Sequence, residues 1–171
     1  MAEKYLRLDT NGNIAENEAI TASSGSADAG KIVALNDEGK IDETMLPDTI
    51  SPEVLAVTAG EDLNAGDIVY IYDDSGTIKA RKAIATDASK AAIGFVKESA
   101  ATDGEVKVYF EGVISGLSSL VVGKCYFLSD TNAGQVQDNP PTVSGHYVQR
   151  VGSAISTTEL QFERSQPIIR A

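Results

Sequence analysis

The sequence predicts an all-β protein in which a compact β-barrel or β-sandwich domain, residues 51–171, follows an extended N-terminal arm, residues 1–50. Five of the six tyrosines and all four phenylalanines lie after residue 50. Because each such side chain buries roughly 150–250 Å² in a core, the core is expected there. Short β-branched and aromatic runs alternate with turns in the same region, and no window has the apolar periodicity of a long amphipathic helix.

Length and charge exclude several classes of function. A chain of 171 residues is enough for one ordinary domain with an extension. Its formal net charge of −11 excludes a nucleic-acid-binding surface, since neutralising phosphates takes clustered Lys and Arg. No apolar stretch approaches the roughly 18 residues of a membrane span, and the first residues have no apolar signal region. We therefore expect no nucleic-acid partner, no membrane association and no export by a signal peptide.

The arm contains an internal repeat of 27 residues, in which residues 5–16 align with residues 32–43. Each copy is predicted to be a short extended apolar piece, a tight turn at Asn-Gly or Glu-Gly, and a return that begins with Ile. Two copies are too few to build a solenoid core. The matched residues are Leu8 with Leu35, Gly12 with Gly39, Ile14 with Ile41, and Glu16 with Glu43.

Such pieces cannot bury a core alone, so we expect the arm to become ordered against a neighbouring subunit or a partner. The ten-residue stretch 21–30 has the small, polar composition of a linker, and prolines at 47 and 52 mark a domain boundary. The predicted contact residues are the large apolar side chains of the arm: Tyr5, Leu6, Leu8, Ile14, Ile32, Val33, Leu35, Ile41, Met45 and Leu46.

The domain is predicted to contain about nine short strands. The clearest signal is a hairpin in which residues 69–72 lead through Asp73-Asp74-Ser75-Gly76 into residues 77–80. Residues 87–92 are expected to form at most a turn or two of helix. The predicted strands are Val54–Val57, Asp67–Tyr72, Thr77–Ala83, Ala92–Lys97, Glu105–Ile114, Cys125–Ser129, Gln135–Gln137, Tyr147–Ile155 and Glu159–Glu163.

Catalytic and metal-binding patterns are scarce. His146 is the only histidine and Cys125 the only cysteine, which leaves too few ligands for a structural zinc site and no support for a nucleophilic triad. Cys125 lies in an apolar run and is predicted to be a buried, inert thiol. The acidic pairs at 61–62 and 73–74 are interpreted as turn residues. We expect no enzymatic activity, no cofactor and no metal.

Several segments resemble the proteins of tailed-bacteriophage virions. Residues 28–47 are similar to a segment that precedes trimeric domains of head fibres and tail fibres, and the downstream pattern resembles a family of small capsid decoration (head-stabilising or head-fibre) proteins. The resemblance covers most of residues 28–156. The downstream segments are Ala59–Tyr70, Ile93–Val96, Gly112–Leu117, Gly123–Leu128 and Val151–Ser156.

The resemblance implies a non-enzymatic virion protein, a homotrimer made in the host bacterial cytoplasm and seated on the outer capsid surface. Its partner is then the major capsid protein, and it stabilises the head. An alternative is a tail-fibre, baseplate or head-fibre module that contributes to host-surface attachment. The absence of tryptophan disfavours glycan binding by that module.

Overall fold

A computed structural model of the chain describes residues 3–46 and 53–171. The prediction of an all-β fold is confirmed, and the helices among the described residues are three short 3₁₀ turns. Contacts between Cα atoms divide the chain into two units, Met1–Ser51 and Pro52–Ala171. The predicted boundary at Pro47 and Pro52 lies outside the described residues. No helix in the described ranges is long and apolar enough to cross a membrane.

The first unit is folded back on itself, so the structure does not show the extended arm that the sequence predicts. Strands β1 (Lys4–Leu8) and β2 (Ile14–Glu18) form an antiparallel hairpin. The next residues return towards the second repeat copy, because the Ile20 amide donates to the Ile32 carbonyl at 2.9 Å and its carbonyl accepts from the Ala34 amide at 2.8 Å. Backbone hydrogen bonds that the composition of the linker did not reveal therefore connect the chain just after the first copy to the start of the second.

The second unit begins with a closed barrel of five strands in the order β3-β5-β4-β6-β7. The predicted hairpin is present as β4–β5, and its turn residues Ser75 and Gly76 have φ values of 55° and 93°, typical of the tight turns that join adjacent strands. The barrel strands are β3 (Val54–Ala59), β4 (Ile68–Asp74), β5 (Thr77–Lys82), β6 (Gly94–Val96) and β7 (Glu105–Tyr109).

A second, five-stranded sheet has the order β10-β9-β12-β13-β8, and β11 pairs separately with β14. A core cluster joins residues of β4 and β6 to this sheet, and it includes Phe95, whose ring centroid lies 5.3 Å from that of Phe162. These strands are β8 (Gly112–Ile114), β9 (Cys125–Leu128), β10 (Val136–Gln137), β11 (Tyr147–Val148), β12 (Arg150–Ala154), β13 (Leu160–Phe162) and β14 (Ile168–Ile169).

Two predicted strands are each divided in the structure. The predicted strand at 105–114 is β7 followed by β8, because Gly112, with a φ of 122°, lies where the chain passes from the barrel to the second sheet. The predicted strand at 147–155 is β11 followed by β12, which pair with different neighbours. Between them the buried Gln149 side chain bonds to the backbone of Ala92 and Ser165.

Candidate interaction surface

The turn of the first repeat copy is closed by Asp9. Its Oδ1 accepts hydrogen bonds from the Asn11 and Asn13 amides, both at 2.8 Å, while its own amide donates to the Asn13 carbonyl at 2.8 Å. Gly12 has a φ of 83°, a left-handed conformation that glycine adopts without steric cost. The turn is therefore fixed by local bonds within five residues.

The turn of the second copy has the same bonds, with Asn36 in the place of Asp9. Asn36 Oδ1 accepts from the Glu38 amide at 3.1 Å and from the Lys40 amide at 2.9 Å. The Asn36 amide donates to the Lys40 carbonyl at 2.8 Å, and Gly39 has a φ of 72°. Because a carboxylate and an amide oxygen accept equally well here, the sequence repeat is also a repeat of turn geometry.

Each turn presents a leucine and an isoleucine to solvent. Leu8 and Ile14 are ladder partners at the end of the β1–β2 hairpin, and Leu35 and Ile41 occupy the matching positions of the second copy. The four side chains are 54–73 % exposed. In a folded unit such residues would ordinarily face a core. The two turns therefore display equivalent pairs of exposed apolar side chains.

The hairpin has one exposed face and one that is partly covered. Alternation places Leu6 on the same face as Leu8. Glu16, the ladder partner of Leu6, forms an ion pair with Lys4, with its Oε1 2.6 Å from Lys4 Nζ. Tyr5 and Asn17, which pair on the other face, are half-buried. The exposed face is therefore apolar near the turn and charged at the far end.

The predicted contact residues are accordingly at the surface. Tyr5 and Met45 are half-buried, and the other eight are exposed. No residue of 3–46 whose side chain is described is buried. The sequence did not reveal which residues share a face, because that depends on the register of the ladder. The exposed residues are Leu6, Leu8, Ile14, Ile32, Val33, Leu35, Ile41 and Leu46.

One electrostatic difference between the two turns lies in their capping side chains. The pKa of the Asp9 carboxyl is below its ordinary value, chiefly because the Asn13 backbone N–H donates to the charged form. Asn36 makes the same contacts without a titratable group. Acid therefore acts on the first turn and leaves the cap of the second unchanged.

The prediction that Cys125 is buried is wrong. The side chain is exposed on β9, and its Sγ lies 3.6 Å from Ser153 Oγ. The pKa of the thiol is lowered by the contact with Ser153 and, next, by that with Arg150. The strand is buried at alternate positions only, with Tyr126 and Leu128 facing the core. An apolar run of four residues did not show which pair faces inward.

The other polar residues that the sequence singled out have structural partners. His146 Nδ1 lies 2.9 Å from Asp130 Oδ2. Asp62 Oδ1 accepts from the Thr102 amide at 2.8 Å, and Asp73 Oδ1 accepts from the Gly76 amide at 2.7 Å, so these carboxylates serve as loop and turn caps. Among the described residues, no group of three or more His, Cys, Asp and Glu side chains is arranged to hold a metal ion.

Comparison of the chain with protein-family models and with curated protein sequences found no match.

Proposed function

We propose that this chain is a non-enzymatic structural protein of a tailed-bacteriophage virion that binds the outer surface of the head as a homotrimer and stabilises it. The proposed partner is the major capsid protein. The observation that carries the proposal is the contrast between residues 3–46, in which no side chain that the structure describes is buried, and residues 53–171, which enclose two core clusters. This contrast supports a docking segment joined to a self-sufficient domain.

The docking role of residues 3–46 follows from their energetics. An isolated two-stranded hairpin is at best marginally stable in water, because it buries too little apolar surface to offset the loss of chain entropy. Burial of the exposed leucines and isoleucines against a partner would supply roughly 1.5–3 kcal/mol for each fully buried side chain. A partner surface therefore serves as the missing core of this unit.

The duplicated turn supports a partner that offers the same site repeatedly. Turns of the same geometry present two apolar pairs, Leu8 with Ile14 and Leu35 with Ile41. One kind of apolar pocket on the partner can therefore bind either pair. A shell assembled from many identical subunits has such pockets at regular spacing. A trimer triples the number of contacts, and simultaneous engagement converts weak individual docking into strong avidity.

Stabilisation of the head follows from linkage. A protein that binds the assembled shell and does not bind separated subunits lowers the free energy of the assembled state relative to the separated subunits. The decorated head is thus expected to resist heat at temperatures that disrupt the undecorated head.

The first test is co-sedimentation of the purified protein with isolated, undecorated heads and, separately, with tails. We expect saturable binding to heads in many copies per particle. Binding to tails alone, in few copies, would instead favour a fibre or baseplate module for host attachment. Absence of binding to both would remove the proposed place in the virion.

A variant test assigns the contact to the two turns. We expect Leu8→Asp or Leu35→Asp alone to weaken binding to heads by about tenfold or more, and the double substitution to abolish saturable binding. The matched control is Val121→Asp with Val122→Asp, which changes two similarly exposed valines of residues 53–171. Equal losses in the control would show that the two turns are not the anchor.

A further inference from the structure

The barrel is closed at one position by a very short parallel ladder. Only Thr58 and Ala59 of β3 pair with Lys79 and Ala80 of β5. On its other side β3 pairs with β7 over Val54–Thr58. The first half of β3 thus extends beyond its ladder with β5, and among the described residues the backbone groups that point to that side form a strand edge without a ladder partner.

Apolar residues that face the barrel interior are uncovered beside this edge. Leu55 alternates with the buried Val57 along β3, and Ile78 alternates with the buried Ala80 along β5. Leu55 is nevertheless 41 % exposed and Ile78 is 47 % exposed. They lie where the two strands separate, at the end of the barrel next to the β4–β5 turn.

A groove of about 480 Å³ lies between residues 56–58 and 76–78. We call it the β3 groove. The charged side chains among its described lining residues are Asp103 and Glu105, so its rim is acidic. The nearby Lys79 is already shared between Asp103 and Asp74, with its Nζ 3.1 Å from a carboxylate oxygen of each. The complementary occupant is an extended segment that carries both apolar and basic side chains.

Residues 164–171 have that composition. They contain Arg164 and Arg170 and no acidic side chain. Strand β14 pairs with β11 at two residues, Ile168 and Ile169, which are both exposed, and backbone hydrogen bonds join Arg170 to Gly145 and His146 beyond this ladder. Because adjacent residues of a strand point to opposite faces, neither face of β14 is covered. Its second edge has no ladder among the described residues.

We propose that β14 of one copy of this chain pairs with the free edge of β3 in a second copy, along the β3 groove. An isoleucine of β14 covers Leu55 and Ile78, and the arginines face Asp103 and Glu105. The contact joins two different surfaces, so its repetition produces a closed ring when the rotation between copies closes and a filament when it does not. That the ring contains three copies rests on the homotrimer of the proposed function.

A charge-reversal experiment tests the contact through the mass of the full-length protein. We expect Arg164→Glu with Arg170→Glu to raise the dissociation constant of the oligomer by about 30-fold or more, measured by sedimentation equilibrium. Adding Glu105→Lys to the same chain should restore part of the association. The control, Lys90→Glu with Lys124→Glu, changes the net charge equally at two lysines of exposed ion pairs and should leave the oligomer intact.

A cross-linking experiment tests the same contact by proximity. In a Cys125→Ser background, Leu55→Cys combined with Ile168→Cys or with Ile169→Cys should give a covalent oligomer on oxidation for at least one pair. Val122→Cys combined with the same partners should not. If the wild type is a trimer that survives the arginine reversal and neither pair cross-links, the β14 contact is overturned and the proposed function stands. If the wild type is monomeric at micromolar concentration, the homotrimer falls together with this contact.

Discussion

Residues 3–46 and residues 53–171 are both built from short strands and glycine turns, but they are ordered by different forces. In the second segment, side chains of the barrel and of the second sheet form two buried clusters. In the first, the order comes from backbone ladders and from side-chain caps such as Asp9 and Asn36. Hydrogen bonds can therefore specify the conformation of a segment whose stability must come from elsewhere.

The largest difference between the two segments is expected on truncation of apolar side chains. Phe95→Ala removes a fully buried ring that packs between Phe162 and Tyr109, and we expect it to lower the free energy of unfolding by about 3–5 kcal/mol. Leu6→Ala should change it by no more than about 0.5 kcal/mol, because Leu6 is exposed. Urea denaturation of the full chain measures both, and similar losses would contradict the comparison.

A smaller effect is expected from the buried amide of Gln149. This side chain accepts from the Ala92 amide at 2.8 Å and donates to the Ala92 and Ser165 carbonyls at 3.0 Å. Gln149→Leu leaves the buried backbone groups of Ala92 and the partly buried Ser165 carbonyl without this partner, and we expect a loss of about 2–3 kcal/mol in unfolding free energy. Gln161→Leu, at an exposed position of β13, serves as the control and should be nearly neutral. An equally neutral Gln149→Leu would contradict this structural role.

Acid should distinguish the two repeat turns. Since the folded-state pKa of Asp9 is depressed, its contribution to the turn is present above the unfolded pKa and is lost as the pH falls through the folded value, below about pH 4. The amide resonances of Asn11 and Asn13 should shift with acid in an NMR titration as Asp9 takes up a proton. Those of Glu38 and Lys40 should show no shift caused by their cap, because the Asn36 side chain does not titrate. Asp9→Asn should remove the difference. If the Asn11 and Asn13 resonances still shift with acid in this variant, a group other than Asp9 causes the shift.

The smallest expected effect on stability concerns Cys125. Because its side chain is exposed, Cys125→Ser should change the free energy of unfolding by no more than about 0.5 kcal/mol. The thiol should react with a maleimide without denaturant, and faster than a simple exposed thiol at neutral pH, since its pKa is lowered. If the maleimide modifies Cys125 only after unfolding, the sequence-based prediction of a buried, inert thiol would be correct.

Local patterns predicted much of the fold. The β4–β5 hairpin was predictable because alternating residues on either side of Ser75-Gly76 determine both the strands and the turn. The parallel β3–β5 closure was not, since it joins strands that are not consecutive and has no turn signature. The exposure of Cys125 depends on which face of β9 meets the core, and a run of four apolar residues does not encode that choice.

The candidate surface was predicted as a set of residues without its arrangement. The leucines and isoleucines were recognisable because residues 1–50 contain too few aromatic side chains to bury them. The Lys4–Glu16 ion pair and the shared face of Leu6 and Leu8 required the ladder register. The exposed β14 lay beyond the last predicted strand, since a run of only two isoleucines is a weak strand signal.

The two repeat turns have a consequence for how such a chain changes in evolution. Each turn is closed by bonds that span five residues, from Asp9 to Asn13 and from Asn36 to Lys40. Inserting or deleting a whole 27-residue copy therefore leaves the internal bonds of the remaining turn intact. The number of copies can therefore change without altering the geometry of the remaining turn or the sequence of the domain.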